Sequence, residues 1–178
     1  MLKNKKRKTV EFKPVMGSGD KGFTFLAHGK KVTKTSRRIE LLAELDSLNC
    51  LIGFCKVHLK GGGKSGDSKG IPAILDKIQD HLVDAGALTA GYKTGGKLGE
   101  DVKFLEKEIL RLSTGKTVPK KFSKPGGNTV ESLLQMARAA SRKLELQMWK
   151  ASSLKACAVY LNRLSDLLYL ICLKSAKM

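Results

Sequence analysis

Five stretches of this chain repeat apolar residues every three or four positions, the period of a helix that buries one face. The first runs through Ile39, Leu42, Leu45, Leu48, Ile52 and Cys55, with Ser36 placed to cap its start, and predicts a helix over 36–59. The second, over 71–89, gathers Ile74, Leu75, Ile78, Leu82 and Ala85 on one face. Pro72 falls in its first turn, where a missing N–H leaves no bond unmade. The third covers 100–113 with Val102, Leu105, Ile109 and Leu112. The fourth opens at Asn128, which with Glu131 three residues later forms a variant of the capping box, and runs to Trp149; the fifth covers 151–175. Phe23–Leu26 is the one short extended piece. Helices of this kind must bury their apolar faces against one another, so the expected fold class is all-α, a five-helix bundle.

With 178 residues there is room for one domain plus a tail: a basic arm over 1–14, expected to be disordered, and a single helical domain over 15–178. Hydrophobic residues at 42% suffice for a core, which excludes wholesale disorder. The formal charge of +18 calls for an anionic partner, whether nucleotide, nucleic acid or membrane surface. Aromatic residues are only 6%, with a single Trp, which argues against an extended stacking surface for single-stranded nucleic acid. No apolar run reaches the length of a bilayer span, so no membrane segment is expected. Cys50, Cys55, Cys157 and Cys172 form no C-x-x-C pair and read as buried free thiols. With no apolar leader at the start, the expected setting is the cytoplasm, or the mitochondrial matrix in a eukaryotic cell. His28, His58 and His81 are scattered, so no metal site is expected.

The run Gly61–Gly70 contains Gly63-Lys64-Ser65, but the glycine a P-loop needs five positions earlier is His58, and a helix rather than a strand precedes it. It reads as a flexible linker. Polar residues are more informative where they edge apolar stripes. Arg138, Arg142 and Glu145 share one face of the fourth helix; Asn162, Arg163, Ser165 and Asp166 interrupt the fifth; Asp46 and Asn49 sit among the leucines of the first. Together they suggest the wall of a polar site between helices. The loop Gly17-Ser18-Gly19-Asp20-Lys21-Gly22 adds glycines that can turn N–H groups toward a phosphate, and a lysine.

These residues resemble the ATP:cob(I)alamin adenosyltransferases of the propanediol-utilisation type. The resemblance rests on Gly19-Asp20-Lys21-Gly22-x-Thr24, Lys34, Arg38-x-Glu40, Asp46-x-Leu48-Asn49 and Ile52-Gly53, and on the loop Phe122-x-x-Pro125-Gly126-Gly127. It extends to Ala137-Arg138-x-x-x-Arg142-x-x-Glu145 and to Tyr160-Leu161-Asn162-Arg163-Leu164-Ser165-Asp166, in the family's order over about 16–173. It implies a bundle that assembles as a homotrimer with sites between subunits. It also implies transfer of the 5′-deoxyadenosyl group of ATP to the cobalt of cob(I)alamin, giving adenosylcobalamin and triphosphate. MgATP is the implied co-substrate, its magnesium held mainly through the triphosphate, and cob(I)alamin the implied substrate.

The resemblance also implies roles. Ser18, Gly19, Asp20, Lys21, Gly22 and Thr24 would wrap the phosphates, with Lys34 adding charge and Arg142 reaching the triphosphate. Glu145 and Asn162 would help hold the nucleotide. Asp46 and Arg138 would form an ion pair under the corrin, and Phe122 would lie on its lower face and keep the axial ligand off. Phe122, Arg142 and Asn162 are thus the implied catalytic set, with an adenosylcobalamin-dependent acceptor enzyme as a further partner. Several positions depart from the family pattern: Met16 and Phe23 stand where it has threonines, Ala43 where it has glycine, Ser47 where it has glutamate, and Lys143 and Leu146 where it has arginines. These changes fall mostly on the nucleotide side. Two alternative readings follow: a catalytically weakened corrinoid or nucleotide carrier or sensor on the same scaffold, and a basic bundle that binds nucleic acid through its lysines.

Overall fold

The computed structural model describes residues 11, 13, 15–61, 70–115 and 124–175. Strands β1 (Phe23–Phe25) and β2 (Lys31–Thr33) form a small antiparallel hairpin, Thr24 facing Val32, ahead of five helices. These are α1 (Arg37–Gly61), α2 (Ile71–Ala90), α3 (Lys97–Ser113), α4 (Thr129–Trp149) and α5 (Lys155–Ser175). All five expected helices are present.

Two features were not anticipated. The extended piece at Phe23 has a partner, β2, three residues long and flanked by lysines, too short to show a period of two. Helix α3 begins three residues before its expected start, because Gly96 supplies a left-handed turn (φ +78°) and Leu98 drops into the core at 3% exposure. The expected basic arm lies almost wholly outside the described residues, as do most of the linker after α1 and the segment 116–123.

Helix α5 packs along α4 on one side and α3 on the other, while α1 lies against α2 and α4. Leu161, Leu164, Leu167, Leu168 and Ile171 of α5 are wholly buried. That central position accounts for its composition. The segment Ser152–Ser175 is, by length and composition, apolar enough to cross a membrane, which corrects the expectation that no such stretch exists; most of its apolar window is buried inside the bundle. Small residues let α4 and α5 close up: Ala137 and Ser141 have no exposure, and Ser141 Oγ donates to Leu161 O at 2.9 Å. Arg38 straps the end of the bundle, donating to Thr89 O (2.8 Å) and Ser153 Oγ (3.2 Å). A buried polar set joins three helices: His81 Nε2 lies 3.3 Å from Asp101 Oδ1, with the Tyr160 ring edge-on to the imidazole. Burial lowers the His81 pKa and raises that of Asp101.

Cys55, Cys157 and Cys172 are buried free thiols as expected, and burial pushes Cys55 up to about 11. Cys50 is the correction: it lies on the solvent side of α1 and is exposed.

Candidate functional site

The glycine-rich loop is a succession of tight turns ending at the hairpin. Asp20 N donates to Gly17 O and Gly22 N to Gly19 O, and Lys34 N closes the loop on Gly22 O at 2.8 Å. Gly17, Gly19 and Gly22 all have φ between +76° and +90°. At Gly19 the requirement is also spatial: a Cβ there would stand 2.9 Å from Lys34 Nζ and 3.3 Å from Phe23 O. The Lys34 ammonium therefore lies close beside the loop at Gly19. Ser18, Lys21 and Thr24 belong to the same short segment. The N–H groups of Asp20 and Gly22 are committed to the turns of the loop itself, and Lys21 and Lys34 add positive charge beside it.

The second part of the site is the outer stripe of α4. Arg138, Arg142, Glu145 and Trp149 follow one another at intervals of four, three and four residues, so they line one edge of the helix. Glu145 is the junction with α5. Its Oε1 accepts from Asn162 Nδ2 and from Trp149 Nε1, both at 3.2 Å. Asn162 Oδ1 in turn accepts from Arg163 at 2.6 Å, and Arg163 Nε donates to Glu106 of α3 at 3.1 Å. This chain fixes the Asn162 amide: oxygen toward Arg163, nitrogen toward Glu145. Arg142 is exposed and has no hydrogen bond or ion pair among the described residues, so its guanidinium is open to an incoming anion.

Asp46 and Arg138 lie apart within one chain. Within one chain no ion pair joins them among the described residues. Asp46 is exposed on α1, and Arg138 Nε donates to Gln135 Oε1 at 2.7 Å. Between α1 and α4 lies an open groove of about 430 Å³, lined by Arg37, Glu40, Ala43, Glu44, Ser47 and Gln147. Lys143 bonds Glu44 beside it at 2.9 Å. Two of the departures from the family pattern, Ala43 and Ser47, line this groove, and the Ser47 hydroxyl is bound into its own helix at Ala43 O (2.9 Å).

Phe122 lies outside the described residues, but the backbone that follows it is firmly held. Asn128 Oδ1 caps α4 by accepting from Glu131 N at 2.8 Å, and Asn128 Nδ2 donates to Ser175 O at the end of α5. The buried Glu131 carboxylate reaches back to accept from Gly126 N (2.9 Å) and Gly127 N (3.1 Å). The sequence showed the cap; it did not show that Glu131 bonds the two preceding glycines rather than the cap residue. These bonds, that from Gly126 foremost, hold the Glu131 carboxyl below its ordinary pKa. A carboxyl with a lowered folded pKa stabilises fully above its unfolded value and less as pH falls through the folded one. Glu131→Ala is expected to cost about 2 kcal/mol at neutral pH. The deficit should shrink in acid, measured as the urea midpoint of variant against parent from pH 7 to pH 3.

Trp149 and Glu106, the partner of Arg163, were not among the residues expected from sequence. Their signal was available in part: Trp149 stands one helical turn beyond Glu145.

Comparison with known proteins bears on the family and the fold. The family model described as cobalamin adenosyltransferase matches residues 15–175. The corrinoid adenosyltransferase of Bacillus subtilis is 35% identical over 156 residues, covering 84% of this chain and 79% of that protein. The Mycobacterium leprae corrinoid adenosyltransferase is 33% identical, covering 86% of each. Among solved structures, a variant PduO-type ATP:corrinoid adenosyltransferase from Lactobacillus reuteri complexed with cobalamin and ATP superposes with a TM-score of 0.77 at 23% identity, over 92% of this chain and 93% of that one. Another variant of the enzyme, complexed with ATP, gives 0.77 at 25% identity over 92% and 94%. By family model, relatives and fold, the chain belongs to the cobalamin adenosyltransferase family, as a corrinoid adenosyltransferase.

Proposed function

We propose that this adenosyltransferase binds MgATP along the outer stripe of α4 and transfers its 5′-deoxyadenosyl group to the cobalt of cob(I)alamin. The observation that carries the proposal is the Glu145–Asn162 hydrogen bond, which joins the α4 and α5 motifs at one place beside Arg142, a residue with no partner among the described residues. Cob(I)alamin is the nucleophile. The cobalt lone pair attacks C5′ of the ribose, a Co–C bond forms, the C5′–O bond breaks, and its electron pair leaves with triphosphate. The protein's work is placement and charge. Arg142 meets the leaving triphosphate, where a fixed guanidinium gains as negative charge develops. Glu145 and Asn162, locked by Arg163 and Glu106, hold the nucleoside. Lys34 and Lys21, with Ser18 and Thr24 in the same segment, bring the glycine loop to the phosphates, and magnesium rides mainly on the triphosphate. Phe122, Asp46 and Arg138 are assigned to the corrin.

A homotrimer with sites between subunits belongs to the same proposal. One chain leaves Phe54 and Val57 of α1 and Met136 and Leu146 of α4 at least half exposed, an apolar surface suited to a second copy. It would also let Asp46 and Arg138 meet across subunits, as they do not within one. The test is anaerobic: cob(I)alamin plus MgATP, followed by absorbance. Conversion to the adenosylcobalamin spectrum is expected. Bound corrinoid that never forms a Co–C bond would instead support a carrier or sensor.

A further inference from the structure

Trp149 is the one tryptophan of the chain, and it stands where a nucleotide laid along α4 would end. Trp149 is 46% exposed although its Nε1 is anchored to Glu145 Oε1, the oxygen that also receives Asn162 Nδ2. One carboxylate therefore fixes both the α5 amide and the indole. A large aromatic side chain held in place by a hydrogen bond, yet half open to solvent, is a preformed flat surface. Its neighbour one turn back on the same edge is Leu146, 64% exposed. The stripe thus changes character along its length, from guanidinium (Arg142) through carboxylate and amide (Glu145, Asn162) to an apolar aromatic end (Leu146, Trp149). That order matches the order of groups in a nucleoside triphosphate: phosphates, sugar, base. Arg142 and Trp149 are seven residues apart, about 10 Å along the helix axis at 1.5 Å per residue, comparable to the span from the middle of the triphosphate to the base.

We infer that Trp149 is a nucleotide-specificity residue: its indole stacks on the purine base of the bound nucleotide while its N–H keeps Glu145 turned toward the ribose. This rests on the proposed placement of ATP along α4. The position is notable because Leu146, a departure from the family's arginine, removes a charge from the same end. The aromatic platform offers the base an uncharged contact there.

A single tryptophan makes the test direct. Emission of the wild-type protein is followed during titration with ATP and, separately, with inorganic tripolyphosphate, while calorimetry reports binding of each. Expected is a quench or spectral shift with ATP and none with tripolyphosphate. Trp149→Ala should weaken ATP about tenfold or more, the usual worth of a base–aromatic stack, and leave tripolyphosphate affinity unchanged. Trp149→Phe, which keeps an aromatic face but loses the N–H, should bind ATP far better than the alanine variant. A silent indole on ATP that calorimetry shows to be bound, with Trp149→Ala binding ATP like the parent, overturns this inference and leaves the transfer function standing. Equal weakening of ATP and tripolyphosphate in the alanine variant also overturns it, since the loss would then not belong to the base. Absence of ATP binding by the wild type in calorimetry overturns both the placement of ATP and the inference built on it.

Discussion

Arg142→Ala is expected to lower kcat for adenosyl transfer by about 10²–10³-fold, the usual cost of removing one preorganised donor from a developing negative charge. The loss is electrostatic in origin. In the ground state triphosphate is already charged and partly neutralised by magnesium; as the C5′–O bond breaks, further charge moves onto the bridging oxygen and its phosphate. A guanidinium carried at this point of α4 gains interaction at that moment, so the loss falls on kcat more than on KM. Stability should barely change, within about 0.5 kcal/mol, because Arg142 is exposed and forms no bond within the chain among the described residues. Steady-state rates with a parallel urea melt separate the two effects. An Arg142→Ala enzyme with undiminished kcat would remove this residue from the triphosphate.

Leu164→Ala carries the largest expected effect on stability. Leu164 has no exposure and lies on α5, the helix packed against both α4 and α3. Truncation there leaves a cavity that neighbouring helices cannot all collapse to fill, at a cost of about 3–5 kcal/mol. Against a typical total of about 5–15 kcal/mol, that removes a large share of the margin. The consequence reaches the site, because Asn162 and Arg163 occupy the turn just before Leu164 and their mutual orientation depends on how α5 sits between α3 and α4. The urea midpoint should fall in proportion, and ATP affinity should weaken even at low temperature, where the variant is still folded. A midpoint within 1 kcal/mol of the parent would mean the core repacks around the gap.

The helices were legible in the sequence because their apolar periods are long: α1 alone repeats from Ile39 to Cys55. The polar stripe of α4 and the Tyr160–Asp166 motif were legible for the complementary reason, that charges and amides edge what should be a plain apolar face. Short elements were not. Strand β2 is three residues, and its pairing with β1 is set by the turn at His28 (φ +59°) rather than by any pattern. Connections between helices were hidden as well. Glu106 is one glutamate among several on α3, and only the packing of α3 on α5 brings it to Arg163. Asp46 and Arg138 share the resemblance but not a bond within one chain, where Arg138 turns to Gln135 instead, a choice that spacing along the sequence does not encode.

The most direct test of the central claim follows both ends of the bond that breaks. Cob(I)alamin is supplied anaerobically with MgATP labelled with carbon-13 at C5′, and the products are read by carbon-13 and phosphorus-31 NMR. The account predicts one labelled C5′ bonded to cobalt for each intact inorganic triphosphate released, with no orthophosphate or pyrophosphate formed in that step. Phosphate release without a labelled Co–C bond, or corrinoid and ATP bound with neither product formed, would contradict it.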